Sequence, residues 1–406
     1  MRNKSMRNKY WMAITLIALS ASVAVAQMRY LPDSPGTWKP WKFIAYPDNQ
    51  RALGARPADV KDVEAQLLRM NAIIRKIDGI TNPVGFSIET VGLLELTSGR
   101  FSPIAGEPAL TARPLPAQLN FGAFPVMEFG SGATAKREDT GETAQLLFFV
   151  NDLSQALFAS ADRSVPEFEA LDVGVVRLAP RQPDVFGFER YGETIVIKKS
   201  AEPIWAAVTF AETLAIVARG IDRRLVSERD NVGRIQAQYD DFTDPRKRDQ
   251  RIAEYRKIAP LTKDPAYVDK MMKMEAAKEK AAATLLPQIA AARAVVTKSE
   301  QELAGARAMA AGLSAADKAA PACYDIDKVS LARFRRAPAV GCDPLVRANW
   351  KLFNPALPRS APQLLTIAHF EACLAPDQRS LHKGGCAANK RLIESIDKAA
   401  LLAWLQ

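Results

Sequence analysis

Four cysteines are the residues of this sequence best suited to covalent or metal chemistry, and all lie within its last 84 residues. They are Cys323, Cys342, Cys373 and Cys386. The N-terminal segment described below predicts export, and an even cysteine count in an exported chain predicts disulfides. Three pairings remain open, and the short loops favour Cys323 with Cys342 and Cys373 with Cys386. In the loop-entropy account each bridge contributes about 3 kcal/mol.

A zinc site is the competing interpretation of the same region. His369, Cys373, His382 and Cys386 form the pattern H-x3-C-x8-H-x3-C, which combines side chains that zinc accepts. An oxidising compartment would remove the thiolates that zinc requires, so disulfides are favoured. We therefore predict no metal and no cofactor.

No arrangement of nucleophile, base and acid in the sequence identifies a catalytic centre. His369 follows an apolar, strand-like run that is typical of a buried core histidine. The carboxylate pairs Asp240-Asp241 and Asp325/Asp327 could act on a substrate, but a glycosidase needs two carboxylates across a cleft. Neither a P-loop nor a G-x-G-x-x-G turn occurs. Whether the protein is an enzyme stays open at this point.

The N-terminus has the pattern of a secretory signal peptide. Four basic residues and no acid precede an apolar run from Trp11 to Ala26, which is short for a membrane span. Ala24-Val25-Ala26 offers a small-x-small cleavage site, with Gln27 as the first mature residue. Translation could begin at Met1 or Met6. We expect a soluble periplasmic or secreted product without stable membrane insertion.

The charge balance does not point to nucleic acid. The whole chain has a net charge of +10, and removal of residues 1–26 leaves 51 Lys and Arg against 45 Asp and Glu, or +6. That excess is scattered. The densest basic run, from Arg246 to Lys257, is interrupted by acids and is typical of a solvated helix face.

Periodicity predicts an α+β protein in three parts after the signal peptide at 1–26. Residues 27–200 should form a helix and an antiparallel β-sheet unit. The spacing of Val60 to Ile77 predicts the helix, and alternation from Val84 to Lys199 predicts the strands. Residues 201–313 should form a helical bundle or coiled hairpin, and 314–406 a small C-terminal unit with the disulfides.

Local signals place the ends of the helices. Thr209 and Glu212 have capping-box spacing, while Asp244 and Asp264 each precede a proline. Pro287 should kink or divide the last long helix, which should stop at Gly312. In the C-terminal helix we expect one buried stripe, formed by Leu392, Ile396, Ala399 and Leu402.

Two short motifs resemble a group of exported bacterial proteins of unknown function. One is Pro203-Ile204-Trp205 followed by Thr209 and Glu212, and the other is Phe353 to Arg359 leading into Gln363-Leu364. The resemblance covers about a tenth of the chain. It implies export and a three-part organisation, and it brings no catalytic residues.

The sequence thus predicts a non-enzymatic binding or structural protein of the cell envelope or medium. A protein or glycan partner is expected, and nucleic acid is not. The alternative is a hydrolase that acts on an envelope or extracellular polymer with acidic residues brought together by folding.

Overall fold

The structure is a computed structural model that describes most of the chain after residue 27. The described residues are 28–95, 108–130, 136–139, 144–153, 165–169, 171, 174–185, 187–192, 194–368 and 383–406. The predicted signal peptide and the side chains of His369, Cys373 and His382 lie outside them.

The described chain forms two compact units, each made of separate segments. Unit 1 contains the described residues of Met1–Arg163, Ala179–Ala206 and Ala348–Gln406, and unit 2 contains those of Ser164–Leu178 and Ala207–Arg347. Both helices and mixed sheets are present, which confirms the predicted α+β class. Residues 314–406, predicted as one unit, are shared: those up to Arg347 pack within unit 2 and those from Ala348 within unit 1.

Unit 1 is organised by a sheet that is antiparallel except for one parallel pair, β2 with β3. Its strand order is β2-β3-β4-β6-β15-β10-β9-β8, and β1 and β5 also pair with β4. The strands are β1 (Met28–Tyr30), β2 (Lys42–Ala45), β3 (Phe86–Leu94), β4 (Ala117–Phe129), β5 (Lys136–Asp139), β6 (Ala144–Val150), β8 (Arg181–Val185), β9 (Phe188–Tyr191), β10 (Thr194–Lys198) and β15 (Leu364–Ala368). Strands β9 and β10 form a hairpin around Gly192.

Helices cover one face of this sheet. They are α1 (Pro47–Leu53), α2 (Pro57–Arg75), α8 (Lys383–Ser395) and α9 (Lys398–Trp404). Alternate strand residues such as Phe121 and Phe148 are fully buried in one core with Met70 and Ile74 of α2. The three-and-four spacing of α2 and the two-residue period of the strands therefore meet at a single interface.

The predicted stripe on the C-terminal helix is wrong at Ala399, whereas Leu392 and Ile396 are buried and Leu402 is half-buried against the same core. The chain leaves the helix after Ser395, and the Asp397 carboxylate accepts the Ala400 N–H at 2.9 Å to start α9. This break changes the rotation of the residues that follow. Ala399 is consequently exposed, whereas Leu401 is buried.

The motif from Phe353 to Leu364 connects several segments of unit 1 through hydrogen bonds. Arg359 donates to the carbonyl oxygens of Leu53, Leu110 and Arg113 at 2.7–3.0 Å, which ties α1 to the loop before β4. Asn151, at the end of β6, holds the chain entering β15. Its amide nitrogen donates to Ala361 O at 2.8 Å, and its oxygen accepts the N–H groups of Gln363 and Leu364 at 2.8 and 3.2 Å. The motif therefore serves folding.

Unit 2 has a small sheet and a set of long helices. The strands are β7 (Val176–Arg177), β12 (Ala322–Tyr324), β13 (Phe334–Arg336) and β14 (Asp343–Ala348), while β11 (Trp205–Ala207) spans the boundary of the units. The helices are α3 (Pro166–Glu169), α4 (Phe210–Thr243), α5 (Pro245–Thr262), α6 (Tyr267–Ala311) and α7 (Ala315–Ala319).

A disulfide fixes the crossover in the unit 2 sheet. Strands β13 and β14 are both antiparallel to β12, so residues 337–342 must return along β12 to connect them. Cys323 in β12 is bonded to Cys342 at the end of this crossover, with 5.5 Å between the Cα atoms. The neighbours Ala322 and Tyr324 point to the opposite face and enter the core of unit 2.

Removing this bridge should destabilise unit 2 selectively. The double variant Cys323→Ala/Cys342→Ala is expected to lose about 3 kcal/mol of unfolding free energy. Without the bridge, which joins residues 19 positions apart, the unfolded chain gains conformational entropy. Unit 2 contains no tryptophan, so circular dichroism at 222 nm should detect the loss. Tryptophan fluorescence, which reports unit 1, should keep its urea midpoint. Equal shifts in both signals would contradict this assignment.

Candidate functional site

The first two long helices of unit 2 begin at side-chain caps. Thr209 Oγ1 accepts the Glu212 N–H at 3.2 Å at the start of α4, and Asp244 Oδ1 accepts the Arg246 N–H at 2.8 Å at the start of α5. Only half of the predicted capping box is formed, because the Glu212 carboxylate is paired with Arg347.

The Asp264-Pro265 pair predicts that α6 begins at Pro265, but the helix begins two residues later. Asp264 Oδ1 accepts the Ala266 N–H at 2.9 Å, and the helix begins at Tyr267. From there α6 continues through Pro287 and ends before Gly312. Of the two predicted effects of Pro287, the division is wrong and the kink stays a prediction, while the predicted end is confirmed.

Ion pairs show that α4 and then α5 run antiparallel along α6. On α4, Asp222, Arg224 and Arg229 pair in order with Arg307, Glu302 and Glu300 at 2.6–2.9 Å. On α5, Arg248 pairs with Glu279 and Arg251 with Glu275. Rising numbers on one side meet falling numbers on the other, so the three helices form one long hairpin. At 1.5 Å per residue, α6 is about 67 Å long.

The hairpin extends well past the hydrophobic core of unit 2. That core reaches Leu225 on α4 and includes Leu303 and Ala306 of α6, with Val296 packed at its edge. The 29 residues of α6 before Val296 therefore extend about 43 Å further. No residue of α5 is buried. This distal part contacts solvent on most of its circumference.

Buried positions on α6 recur every seven residues. Glu275, Ala282, Ile289 and Leu303 are buried, and Val296 between them is half-buried. A second series lies three residues later, formed by Lys278, Leu285, Ala292, Ser299 and Ala306, all buried or half-buried. Such a repeat places one narrow seam against the partner helix. Small residues and large aliphatic residues occur equally often in this seam, and ion pairs beside it add to the contacts between the helices.

One position of the seam is a buried carboxylate. Glu275 is 1% exposed, and Arg251 binds it through both Nε and Nη2 at 2.8–3.2 Å. Tyr255 Oη and Lys278 Nζ each donate to Oε1 at 2.8 Å. These donors, with Arg251 the strongest, lower the pKa of Glu275 to about 2 although burial opposes them. The cluster therefore fixes α5 against α6 through polar contacts at this position of the seam.

A groove of about 530 Å³ lies at the base of the hairpin. Its floor includes Val217, Ile221 and Phe334, and charged side chains form its walls. Among the wall residues, Arg333 binds Glu167 at 2.8 Å and Arg224 binds Glu302 at 2.7 Å.

These pairs limit what the groove can do. Both carboxylates of these pairs are occupied by a guanidinium, so a substrate would have to displace an ion pair to reach either of them. Tyr324 donates to Glu167 at 3.3 Å, and the pKa of its phenol is raised, first by burial and then by Glu167. The groove is therefore better described as a place where side chains neutralise one another than as an acid–base centre.

The carboxylate pairs singled out in the sequence have structural roles. Asp241 is bound by Arg251, and Asp240 accepts from Gln236 at 2.9 Å. Asp325 is buried, is bound by Arg335 at 3.0 Å and accepts the Asp327 N–H. Within the described residues no group of three or more His, Cys, Asp and Glu side chains could hold a metal ion.

The second predicted disulfide and the zinc alternative fall largely outside the described residues. His369, Cys373 and His382 are not among them. Cys386 is described, is buried and is disulfide-bonded. Its pairing with Cys373 stays a prediction.

Comparison with protein families, curated proteins and solved structures finds no match for this chain. The search for helices that could cross a bilayer, made over the described part of the chain, also finds none with the required length and hydropathy. The hairpin and the groove must therefore be interpreted from their own chemistry.

Proposed function

We propose that this is an exported, non-enzymatic protein whose long helical hairpin is its binding element. The observation that carries the proposal is the extension of α5 and the first half of α6 beyond the core of unit 2. Residues of this segment add little to that core, and their own interior is a thin seam. A segment of this length that does not stabilise its own domain has a surface available to a partner.

The seven-residue repeat and the ion pairs favour a coiled-coil type of hairpin. An antiparallel pair held in register by Arg–Glu contacts and by buried Glu275 keeps its outer faces in fixed positions. Export rests on the basic and apolar N-terminal segment, and the Cys323–Cys342 bridge is compatible with an oxidising compartment.

The proposal can be tested by shortening the hairpin. Residues 236–293 would be replaced by Gly-Asn-Gly-Gly, which joins α4 to α6 where Gln236 meets Arg293 at 3.0 Å. In an exporting bacterial host, the full chain should sediment with the envelope fraction. We expect at least a fivefold smaller sedimenting fraction for the shortened chain, whose partner surface is lost.

Two measurements make this result interpretable. Unchanged tryptophan fluorescence unfolding would show that unit 1 is intact in the shortened chain. Equal retention of both chains would defeat the proposal, since the hairpin would then contribute nothing to association.

The hydrolase alternative has no comparable support in the described structure. The half-buried carboxylates of the unit 1 sheet are engaged with neighbours: Asp139 accepts from Ser87 at 2.8 Å, and Glu89 is bound by Lys42 at 2.6 Å. Release of products from polysaccharide or peptide substrates by the purified protein would revive it.

A further inference from the structure

The distal end of the hairpin concentrates the positive charge of the protein. We define the tip as residues 246–280, which comprise α5 and the facing start of α6. It has eleven Lys and Arg against six Asp and Glu, a net charge of +5 within 35 residues of a chain whose total is +10. The basic run that suggested only a solvated face in the sequence thus lies on a separate, extended surface.

Ion pairs leave part of this excess in place: within the described residues the tip keeps six unpaired cations against three unpaired acids, Asp249, Glu254 and Asp269. Six cations of the tip are exposed and form no ion pair within the described part of the chain. They are Arg246, Arg256, Lys257, Lys263, Lys273 and Lys280. Because unpaired charges repel one another, this accumulation costs stability unless an anionic partner offsets it.

The tip also exposes large aliphatic side chains. Leu261 is 80% exposed and Ile258 is 42% exposed. They are three residues apart on α5 and therefore share a face, with Lys257 four residues before Leu261. Tyr255, an aromatic residue of the same helix, is instead bound to Glu275. Aliphatic groups flanked by lysines suit the boundary between lipid headgroups and acyl chains, whereas sugars and single-stranded nucleic acids are bound by aromatic stacking.

We propose that the hairpin tip docks on the surface of an anionic lipid bilayer, with Ile258 and Leu261 entering the headgroup layer and the unpaired cations contacting lipid phosphates. This inference rests on the proposed function and names its partner. Binding is peripheral, in keeping with the lack of a described helix able to span the bilayer. An extended surface with several exposed cations matches a broad anionic surface better than a single small anion.

The test measures binding of purified protein to lipid vesicles. The chain should start at Gln27, so that the apolar segment 11–26 cannot insert. Vesicles of phosphatidylcholine with 30% phosphatidylglycerol would be compared with pure phosphatidylcholine by co-sedimentation. We expect clear binding to the anionic vesicles alone, with weakening as NaCl rises from 50 to 300 mM because salt screens the charges.

Matched variants assign the binding to the tip. Lys257→Glu/Lys263→Glu should weaken binding at least 25-fold, since one lysine near an anionic surface contributes about fivefold. Lys61→Glu/Arg69→Glu makes the same charge change on exposed, unpaired residues of α2 and should weaken it less than threefold. Leu261→Ser should weaken it about tenfold, whereas Val340→Ser, at a fully exposed loop of unit 2, should have no effect.

Several outcomes would overturn the inference. They are equal binding to both vesicle types, equal effects of the two charge variants, or no binding at all. If vesicles fail to bind while the shortened chain still loses envelope retention, the partner is a protein or glycan and the proposed function stands. If the shortened chain also keeps its full envelope retention, both the proposed function and the lipid-binding inference fail.

Discussion

Replacing Glu275 by glutamine should detach α5 from α6 while the rest of the protein stays folded. The substitution removes the charge that holds Arg251, Lys278 and Tyr255, and it leaves the Arg251 guanidinium, whose side chain is 18% exposed, without its main partner. Breaking a buried ion pair on one side costs about 3–5 kcal/mol. Hydrogen exchange measured by mass spectrometry should show the amides of 245–262 exchanging at least 100-fold faster.

A companion variant separates charge burial from general damage. In Arg251→Met/Glu275→Met both charges of this pair are replaced by apolar side chains, and such replacements of buried pairs are often neutral. We expect the double variant to recover at least half of the lost protection. Unchanged exchange in Glu275→Gln, or equally fast exchange throughout the chain, would show that this cluster does not hold the tip.

The same cluster predicts a pH dependence. The pKa of Glu275 is lowered from 4.5 to about 2, so its ionised form is favoured in the folded hairpin. Its contribution to stability is complete above pH 4.5 and should be lost as the pH falls from 4.5 towards 2. Exchange of 245–262 should accelerate across that interval, after correction for intrinsic rates, and Glu275→Gln should not show the step.

Substitution of Asn151 should have a comparably large effect on unit 1. Asn151 is 3% exposed and adopts φ of 56°, and its amide satisfies three backbone groups around residues 361–364. Asn151→Ala leaves these buried groups without partners and puts alanine, which tolerates positive φ less well than asparagine, in the left-handed region. We expect a loss of about 4 kcal/mol, measured by the urea dependence of tryptophan fluorescence.

Asn151→Gly divides this loss into its two causes. Glycine adopts positive φ without strain, so it should recover about 1 kcal/mol relative to alanine and still lack the hydrogen bonds. If both variants unfold within 1 kcal/mol of the wild type, the Asn151 amide is not holding the entry to β15.

Local features were predictable from the sequence where neighbouring residues determine them. The spacing of apolar residues predicted α2. The proline after Asp244 located the start of α5, and the pair Thr209 and Glu212 located the start of α4. The seam of α6 was missed although the series 282, 289, 296 and 303 is visible in the sequence. Three of these four residues are aliphatic, but alanine is common on every face of this helix and hides the seven-residue period.

The remaining features depend on contacts between distant residues. Asn151 forms hydrogen bonds with residues that lie at least 210 positions later in the chain, and no local sequence pattern identifies it. The division into units was equally hidden, because the chain enters and leaves unit 2 twice. Glu275 gave no signal of burial in the sequence, since an acid in a Lys-rich helix is usually solvated.

The position of β15 sets an order of events for a chain made from its N-terminus. This strand is added last, yet it lies between β6 and β10 and pairs with both. Until residue 368 has been delivered, the unit 1 sheet remains in two halves with open edges, which are prone to pairing with other chains. A chain that crosses a membrane unfolded would have to be shielded until almost its whole length has emerged. Truncation before Leu364 should therefore yield aggregates rather than a smaller folded protein.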